Sequence, residues 1–530
     1  MPGEVFVHHG MRLIVLCTTA ITALALVGTT PAIAAPNSAD NHVTTGGFRP
    51  AAIDWQPCLE KPDDPTIRCA TIQVPIDWSD PTGPTFGLAI DRQAAADPAQ
   101  DEGPLLINPG GPGGSGVDFA LEAATFFNPQ ILQHFDIIGF DPRGTNRSDP
   151  VQCSSSLLAQ RPFPVPSNAS DYAAMLAYNS KLDADCKANT GAIFDHVDTA
   201  SVDRDMDAIR AALGAPKISY YGVSYGTLIG QEYAELFPDR IRAMVIDSNM
   251  DHSLSTTPFL LTEAATDEDS FDQFEAWCDR DSACALHGKD VPAIWSALQQ
   301  RADAGTLTVP GTAQTLTWFD LTSLAVNAEY GPAWSNLAVE LNELNTGTIG
   351  SVAVPQARTA STTTLEQFPL PVFCEDWSLP ESGYAQFQRD FRLTNAVAPQ
   401  LRTSSLAWSV FTSCLGWTGP VNDPQQRLRV HADVPLLVLN SVHDPATPYA
   451  WALDDAAQMG PAARLVTYLG WGHGAYPHSS CTQGSVDDYL INGTLPAPGA
   501  TCAAVPPPDT TSQARLVPGG STSLPGGIGW

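Results

Sequence analysis

Hydrophobic and polar positions change rhythm along this chain. Residues 69–75 and 85–91 alternate apolar with polar side chains, the period of two expected of half-buried strands, and Asp80-Pro81-Thr82-Gly83 between them has the composition of a turn. The pair predicts a hairpin. From 104 to 248 the alternation gives way to short, mainly apolar runs at 104–108, 135–140 and 241–246, with a further run starting at Ile218. Between them lies helical spacing, as in Val202, Met206, Ile209 and Leu213, ended by Gly214-Ala215-Pro216. Runs without a polar face belong to strands covered on both sides, so this region predicts a mostly parallel sheet with helices on both faces.

The alternation stops near 251. From there to about 430 the pattern is mainly helical and rich in aromatic residues, with a Thr-rich loop at 359–364, and it reads as an inserted cap. A strand at 434–440, a helix at 449–459 and a strand at 463–469 then resume the sheet. The expected organisation is a leader at 1–35, a linker at 36–50, core at 51–250, cap at 251–430, core again at 431–502, and a Pro/Gly/Ser/Thr-rich tail at 503–530.

The candidate chemistry sits where strands end. The run from Ile218 breaks into Gly222-Val223-Ser224-Tyr225-Gly226, and helical spacing follows to Phe237, which is the strand, turn and helix of a nucleophile elbow. Ser224 is therefore the candidate nucleophile. After strand 104–108 comes Asn108-Pro109-Gly110-Gly111-Pro112-Gly113-Gly114-Ser115-Gly116, a loop that no packed helix tolerates. In an α/β-hydrolase the corresponding loop supplies one N–H of the oxyanion hole and the residue after the nucleophile supplies the other. Those residues are Gly111, with Gly110 as the alternative, and Tyr225. Asp444 follows the resumed strand and His473, set between Gly472 and Gly474, follows the last one. The chain order Ser, Asp, His matches this fold, with His473 as the base and Asp444 as its orienting acid. Asp141 and Arg143, after strand 135–140, read as a structural bridge instead.

Composition narrows the setting. Residues 11–35 pair Met11-Arg12 with an apolar run to Val27 and then Ala32-Ile33-Ala34-Ala35, the layout of a secretory signal. The run is short for a membrane span and Thr18, Thr19 and Thr22 interrupt it, so the expected protein is secreted, with no membrane association after cleavage. Ten of the 11 cysteines lie beyond the leader, an even number suited to disulfides. Close spacing suggests Cys58 with Cys69, Cys153 with Cys186, Cys278 with Cys284, Cys374 with Cys414 and Cys481 with Cys502, although spacing leaves other pairings open. No Cys/His spacing suggests a metal, and the chemistry expected at Ser224 needs no cofactor. A net charge of −31 argues against nucleic acid as a partner.

Taken together, Cys58 and Cys69 before Val74-Pro75, the 108–116 loop, Asp141 to Gly144, Gly222 to Gly226, Cys374-Glu375-Asp376-Trp377, Asp444 to Pro448 and Gly472-His473-Gly474 carry a resemblance. They resemble the secreted tripeptidyl aminopeptidases, serine peptidases related to the prolyl aminopeptidases. Asn108 stands where prolyl aminopeptidases usually have His, which favours the tripeptidyl branch. The resemblance implies an α/β-hydrolase fold and a peptide substrate with a free N-terminus. Such an enzyme must hold an ammonium at a set distance from its nucleophile, and Glu375 and Asp376 are the candidate counter-charges in the cap. Two readings compete: a secreted esterase or amidase acting on a small metabolite with the same three residues, and a non-catalytic binding protein on the same fold.

Overall fold

The computed structural model describes residues 47–349 and 364–507. The leader, most of the linker and of the tail, and the Thr-rich loop up to residue 363 fall outside them. Twelve strands occur among the described residues: β1 (Gln56–Pro57), β2 (Ile67–Pro75), β3 (Thr85–Gln93), β4 (Pro104–Asn108), β5 (Asp136–Phe140) and β6 (Gln152–Ser154). These are followed by β7 (Ile218–Val223), β8 (Ile241–Asp247), β9 (Leu365–Gln367), β10 (Leu436–His443), β11 (Ala463–Trp471) and β12 (Ala500–Cys502). Ten of them form one sheet in the order β1-β2-β3-β5-β4-β7-β8-β10-β11-β12. The edge from β1 to β3 is antiparallel, as is the β3–β5 pair, and every pairing from β5 to β12 is parallel. β2 and β3 are the expected hairpin, in register from Ile67 opposite Gln93 to Pro75 opposite Thr85.

The mainly apolar runs are explained by what they touch. Leu106, Ile138, Tyr220, Met244 and Val438 enter one core with Met206 and Ile209 of helix Thr199–Ala212 and Leu228 of helix Tyr225–Leu236. Their neighbours Leu105, Ile107, Ile137, Tyr221, Val245 and Leu439 enter a second core with Phe119 and with Val486 and Leu490 of helix Ser480–Asn492. Successive side chains on a strand point to opposite faces, so a sheet covered on both sides needs apolar residues at every position.

Between β8 and β10 the chain builds the cap from helices that include Thr256–Arg280, Val291–Asp303, Trp318–Tyr330, Trp334–Thr346, Leu370–Asp376, Tyr384–Val397 and Ser405–Cys414. Much of it has a core of its own, with Phe271, Trp277, Trp295, Leu321 and Trp334. Trp471 at the end of β11 packs on that core, its ring 5.4 Å from Trp334, so the cap reaches the segment that carries His473. A helix absent from the sequence expectations, Ala169–Thr190, also supports the cap: Asn179 donates to the carbonyls of Thr412 and Leu415, at 2.7 and 2.8 Å. Its alanines and polar residues blur the apolar stripe that would have marked it.

All five disulfides suggested by spacing are formed: Cys58–Cys69, Cys153–Cys186, Cys278–Cys284, Cys374–Cys414 and Cys481–Cys502. Asp141 and Arg143 are structural, but they do not bridge to each other. Arg143 grips Asp205 with two bonds of 2.7 Å, while Asp141 accepts from Ser115 Oγ, Val117 N and Arg147. Two residues apart after a strand, they diverge toward different elements. Their shared position in sequence therefore misstates their partners.

Candidate active site

Ser224 occupies the turn between β7 and helix Tyr225–Leu236 with φ 59° and ψ −127°, a backbone conformation that L-residues rarely hold. Packing imposes it. The Ser224 N–H donates to the carbonyl of Asp247 at 3.0 Å, and its own carbonyl accepts from Thr227 N and Oγ1, at 2.8 and 2.6 Å. A Cβ on Gly110 would lie 2.4 Å from the Val223 carbonyl and 2.9 Å from Ser224 Cβ, so only glycine lets the 108–116 loop run this close to the Ser224 turn. Gly110 also has a φ of +83°.

The two oxyanion candidates in that loop separate by their hydrogen bonds. The Gly110 N–H donates to Asn108 Oδ1 at 2.8 Å and is committed there. Gly111 comes next in the chain, and its N–H makes no hydrogen bond among the described residues. Gly110 is thus the close-approach residue, 2.8 Å by its virtual Cβ from the Tyr225 nitrogen, while Gly111 keeps a donor to offer.

Asp444 and His473, 29 residues apart, are brought together: His473 Nδ1 lies 2.9 Å from Asp444 Oδ1 and 3.2 Å from Oδ2. Asp444 is fully buried, and its Oδ1 also accepts from the N–H groups of Ala446 and Thr447 at 2.9 Å, while Thr447 Oγ1 donates to Oδ2 at 3.0 Å. Burial alone would raise its pKa. The charge of His473 and these hydrogen bonds outweigh burial, and the carboxyl is held below its ordinary value. Acting only as an acceptor, it fixes the proton of His473 on Nδ1 and leaves Nε2 with its lone pair. Nε2 has no hydrogen-bond partner among the described residues, Ser224 Oγ included.

Several residues that sequence reasoning missed hold this arrangement. Asp247, at the end of β8, accepts from Ala475 N, Tyr476 N and the Tyr221 hydroxyl at 2.8, 2.9 and 2.8 Å, and Ser248 Oγ accepts from Gly474 N at 2.7 Å. One strand end therefore braces both the Ser224 turn and the His473 loop. Burial lifts the Asp247 carboxyl to about 6, against the pull of those three donors. The available signal was a carboxylate closing an otherwise apolar run. From the cap, the Tyr330 carbonyl accepts the His473 N–H at 2.8 Å and the Tyr330 ring lies edge-on to the imidazole at 4.9 Å. Thr266 Oγ1 donates to the Asp444 carbonyl at 2.8 Å. The neighbouring histidines are occupied elsewhere or inert: His443 pairs with Asp269 at 2.6 Å, and burial lowers His478 to about 4.

Glu375 and Asp376 are not where a free counter-charge would stand. Both are fully buried. Asp376 accepts from Thr199 N and Oγ1 and from the Tyr225 hydroxyl, at 2.8, 2.6 and 2.6 Å, so it anchors the residue that follows Ser224. Glu375 accepts from Val197 N and Asn422, and burial together with Asp198 and Asp376 raises it to about 10, leaving it uncharged at neutral pH. The two residues are consecutive with the buried Cys374 on a short helix that packs inward, and these bonds tie them to the 197–199 segment and to Tyr225.

A different set of acids borders the Asp444–His473 pair. Glu263 and Asp267 lie on helix Thr256–Arg280 on either side of Thr266, and Glu329 precedes Tyr330. All three are buried. Both carboxylate oxygens of Asp267 and of Glu329 lack a hydrogen-bond partner, and Glu263 accepts from Ser404 Oγ at 3.2 Å. Among the described residues none of the three forms an ion pair with Lys or Arg. Burial is the main cause that raises each, Glu263 to about 8, and Asp267 feels Glu263, Glu329 and Asp444 besides.

This makes stability depend on pH with a definite sign. Between the ordinary value of 4.5 and about 8, folded Glu263 keeps a proton that the unfolded chain releases. Its contribution is complete below that window and is lost as pH rises through it, at about 1.4 kcal/mol per pH unit. Urea midpoints measured from pH 5 to 8 are expected to fall, and Glu263→Gln to flatten the slope by up to one group's share. An unchanged slope in the variant contradicts this.

A family model described as alpha/beta hydrolase fold matches residues 103–478. The chain is 30% identical over 478 residues to "Serine protease Hip1" of Mycobacterium tuberculosis, covering 85% of this chain and 91% of that protein. It is 30% identical over 482 residues to "Tripeptidyl aminopeptidase" of Streptomyces lividans, 86% of this chain and 87% of that one. It is 33% identical over 512 residues to "Carboxylesterase B" of M. tuberculosis, 90% of this chain and 96% of that one.

Proposed function

The chain belongs to the alpha/beta hydrolase fold family, and from that premise we propose that it is a secreted serine peptidase releasing short peptides, in the first place tripeptides, from free N-termini. Ser224 Oγ attacks the scissile carbonyl while His473 Nε2 takes its proton. Asp444 holds the Nδ1–H and steadies the imidazolium that forms. The N–H groups of Tyr225 and Gly111 receive the oxyanion, His473 returns the proton to the leaving amine, and water then releases the acyl group by the reverse sequence.

The observation that carries the choice of substrate is the wall of three buried acids, Glu263, Asp267 and Glu329, beside the Asp444–His473 pair, with no Lys or Arg paired to any of them among the described residues and little more than Ser404 to donate to them. Buried carboxyls without donors are costly, and no ester or neutral amide has use for them. An N-terminal ammonium supplies the missing charge and donors, and its arrival lets the carboxyls ionise, so that binding releases protons. The likeness to the S. lividans tripeptidyl aminopeptidase favours three residues over one. The likeness to Carboxylesterase B keeps the esterase reading as the alternative.

Chromogenic tripeptide amides with free and acetylated N-termini test the proposal. Blocking is expected to lower kcat/KM by about 100-fold, the scale of a charge-assisted hydrogen bond or two lost at a buried site. Asp267→Asn is expected to raise KM about 10-fold for the free substrates and to leave the blocked ones unaffected. Equal cleavage of both sets, with faster turnover of simple esters, would establish the esterase instead.

A further inference from the structure

Eight residues after Ser224 along the same helix lies Glu232, in a second buried polar site that the proposed hydrolysis does not use. One ligand atom from each of Glu232, His252 and Asp423 lies within 4.8 Å of the other two. These residues are 4%, 1% and 6% exposed. They come from three separate segments: the nucleophile's helix, the turn after β8, and the stretch that leads from the cap back to β10.

The imidazole is oriented as a ligand. His252 Nε2 lies 2.6 Å from the Asp376 carbonyl, which only accepts, so Nε2 carries a hydrogen and in the neutral ring Nδ1 keeps its lone pair. Nδ1 faces Glu232 Oε1 at 3.3 Å. Two ligands of a tetrahedral site with bonds near 2.0–2.1 Å stand about 3.3 Å apart. Glu232 Oε1 and Asp423 Oδ2 receive no hydrogen bond, and the two carboxyls face each other closely enough to share a proton whose place a cation would take. An independent observation points the same way. Asp203 is 0% exposed, neither of its oxygens has a partner, and its strongest interactions with other charges are with Glu232 and Asp423.

Compensating positive charge is scarce. Arg204 acts on Asp203, and among the described residues no Lys or Arg forms an ion pair with Glu232, Asp423 or Asp203. Asp198 and Asp376 add negative charge nearby. We propose that Glu232, His252 Nδ1 and Asp423 bind a divalent cation of the Zn2+ or Mn2+ class, with the buried Asp203 adding negative charge beside them. One imidazole among carboxylates suits these ions, whereas Ca2+ and Mg2+ take oxygen alone. The ion ties the nucleophile's helix to the turn after β8 and to the returning chain, where Asp423 N already donates to the Glu375 carbonyl at 3.1 Å and Gln426 N to the His252 carbonyl at 3.0 Å. It touches no substrate, so this inference stands whichever acyl bond the enzyme cleaves.

The test is metal analysis of the purified full-length protein with thermal unfolding before and after chelation. The expected result is about one equivalent of Zn2+ or Mn2+ per chain, removed by EDTA with a loss of about 2–4 °C in Tm that either ion, but not Ca2+, restores. His252→Gln and Asp423→Asn are expected to lose the metal and the response to EDTA together. A wild-type protein without stoichiometric metal and with a Tm indifferent to EDTA overturns the proposal, since the cluster then balances its charge without a metal ion. Full metal content in both variants overturns the ligand assignment, and restoration by Ca2+ overturns the ion class. Because wild-type metal content and chelation decide the first question, a variant that fails to fold leaves the result intact.

Discussion

Ser224→Ala is expected to fold as the wild type does and to lose about 10⁵- to 10⁶-fold in kcat on a tripeptide amide. The fold survives because the Ser224 side chain forms no hydrogen bond among the described residues, and its backbone is held by the Asp247 carbonyl and by Thr227. Alanine retains those bonds. Activity falls because the oxyanion donors and the base have nothing to act on, leaving the residual rate that binding and the oxyanion site supply by themselves. His473→Ala is expected to lose a comparable amount, and the double variant no more than either single one, since residues acting as a unit do not add. Kinetics with a free-amine tripeptide substrate, and mass analysis after treatment with a phosphonate, measure both points. Retention of a few per cent of activity by Ser224→Ala, or phosphonate labelling elsewhere, would move the nucleophile from this turn.

Arg143→Ala is expected to remove about 3–5 kcal/mol of stability, the largest loss anticipated from a residue outside the candidate site. The guanidinium is completely buried and every face of it is used. Nε and one terminal nitrogen each reach Asp205 at 2.7 Å, the other donates to Ile76 O at 2.7 Å and His196 O at 3.0 Å, and a further bond of 3.0 Å reaches Pro75 O. Its carbon lies 5.1 Å from the Phe86 ring centre. Removing it strands three backbone carbonyls and a carboxylate that is itself buried, with only Trp78 Nε1 left to donate at 3.0 Å. Even with Arg143 present, burial raises Asp205 above its ordinary value. Arg143→Met with Asp205→Leu is therefore expected to recover a large part of the loss, because an apolar pair removes the orphaned charge. Denaturant midpoints of the single and double variants check this, and a double variant no better than the single one counts against it.

The signals legible in the sequence were local ones. Ser224 was marked by glycines two residues to either side, and contact distances give the reason: a Cβ on Gly222 would lie 2.3 Å from the Gly226 carbonyl. Asp444 and His473 were marked by following strands directly, and the disulfides by short spacing in sequence. Glu375 and Asp376 turn inward, which their motif did not reveal, because a motif shared with a family records that residues stay together and says nothing about which way they face. The acid wall was invisible for the opposite reason. Glu263 and Asp267 are four residues apart on a long helix rich in acids, like many solvated pairs, and only the fold turns them inward against Glu329, 62 residues beyond Asp267.

Taken alone, the sequence determined the sheet with two covered faces, the inserted helical cap and the turn that carries Ser224, because backbone periodicity, turn geometry and side-chain alternation act over a few residues. Tertiary structure decided the rest. It made Asp205 the partner of Arg143 across 62 positions, set the Tyr330 carbonyl on His473, and gathered Glu232, His252 and Asp423 into one buried cluster. Electrostatic and hydrogen-bonding partners are chosen by distance in space and by exclusion from water, and neither is written in the order of the chain.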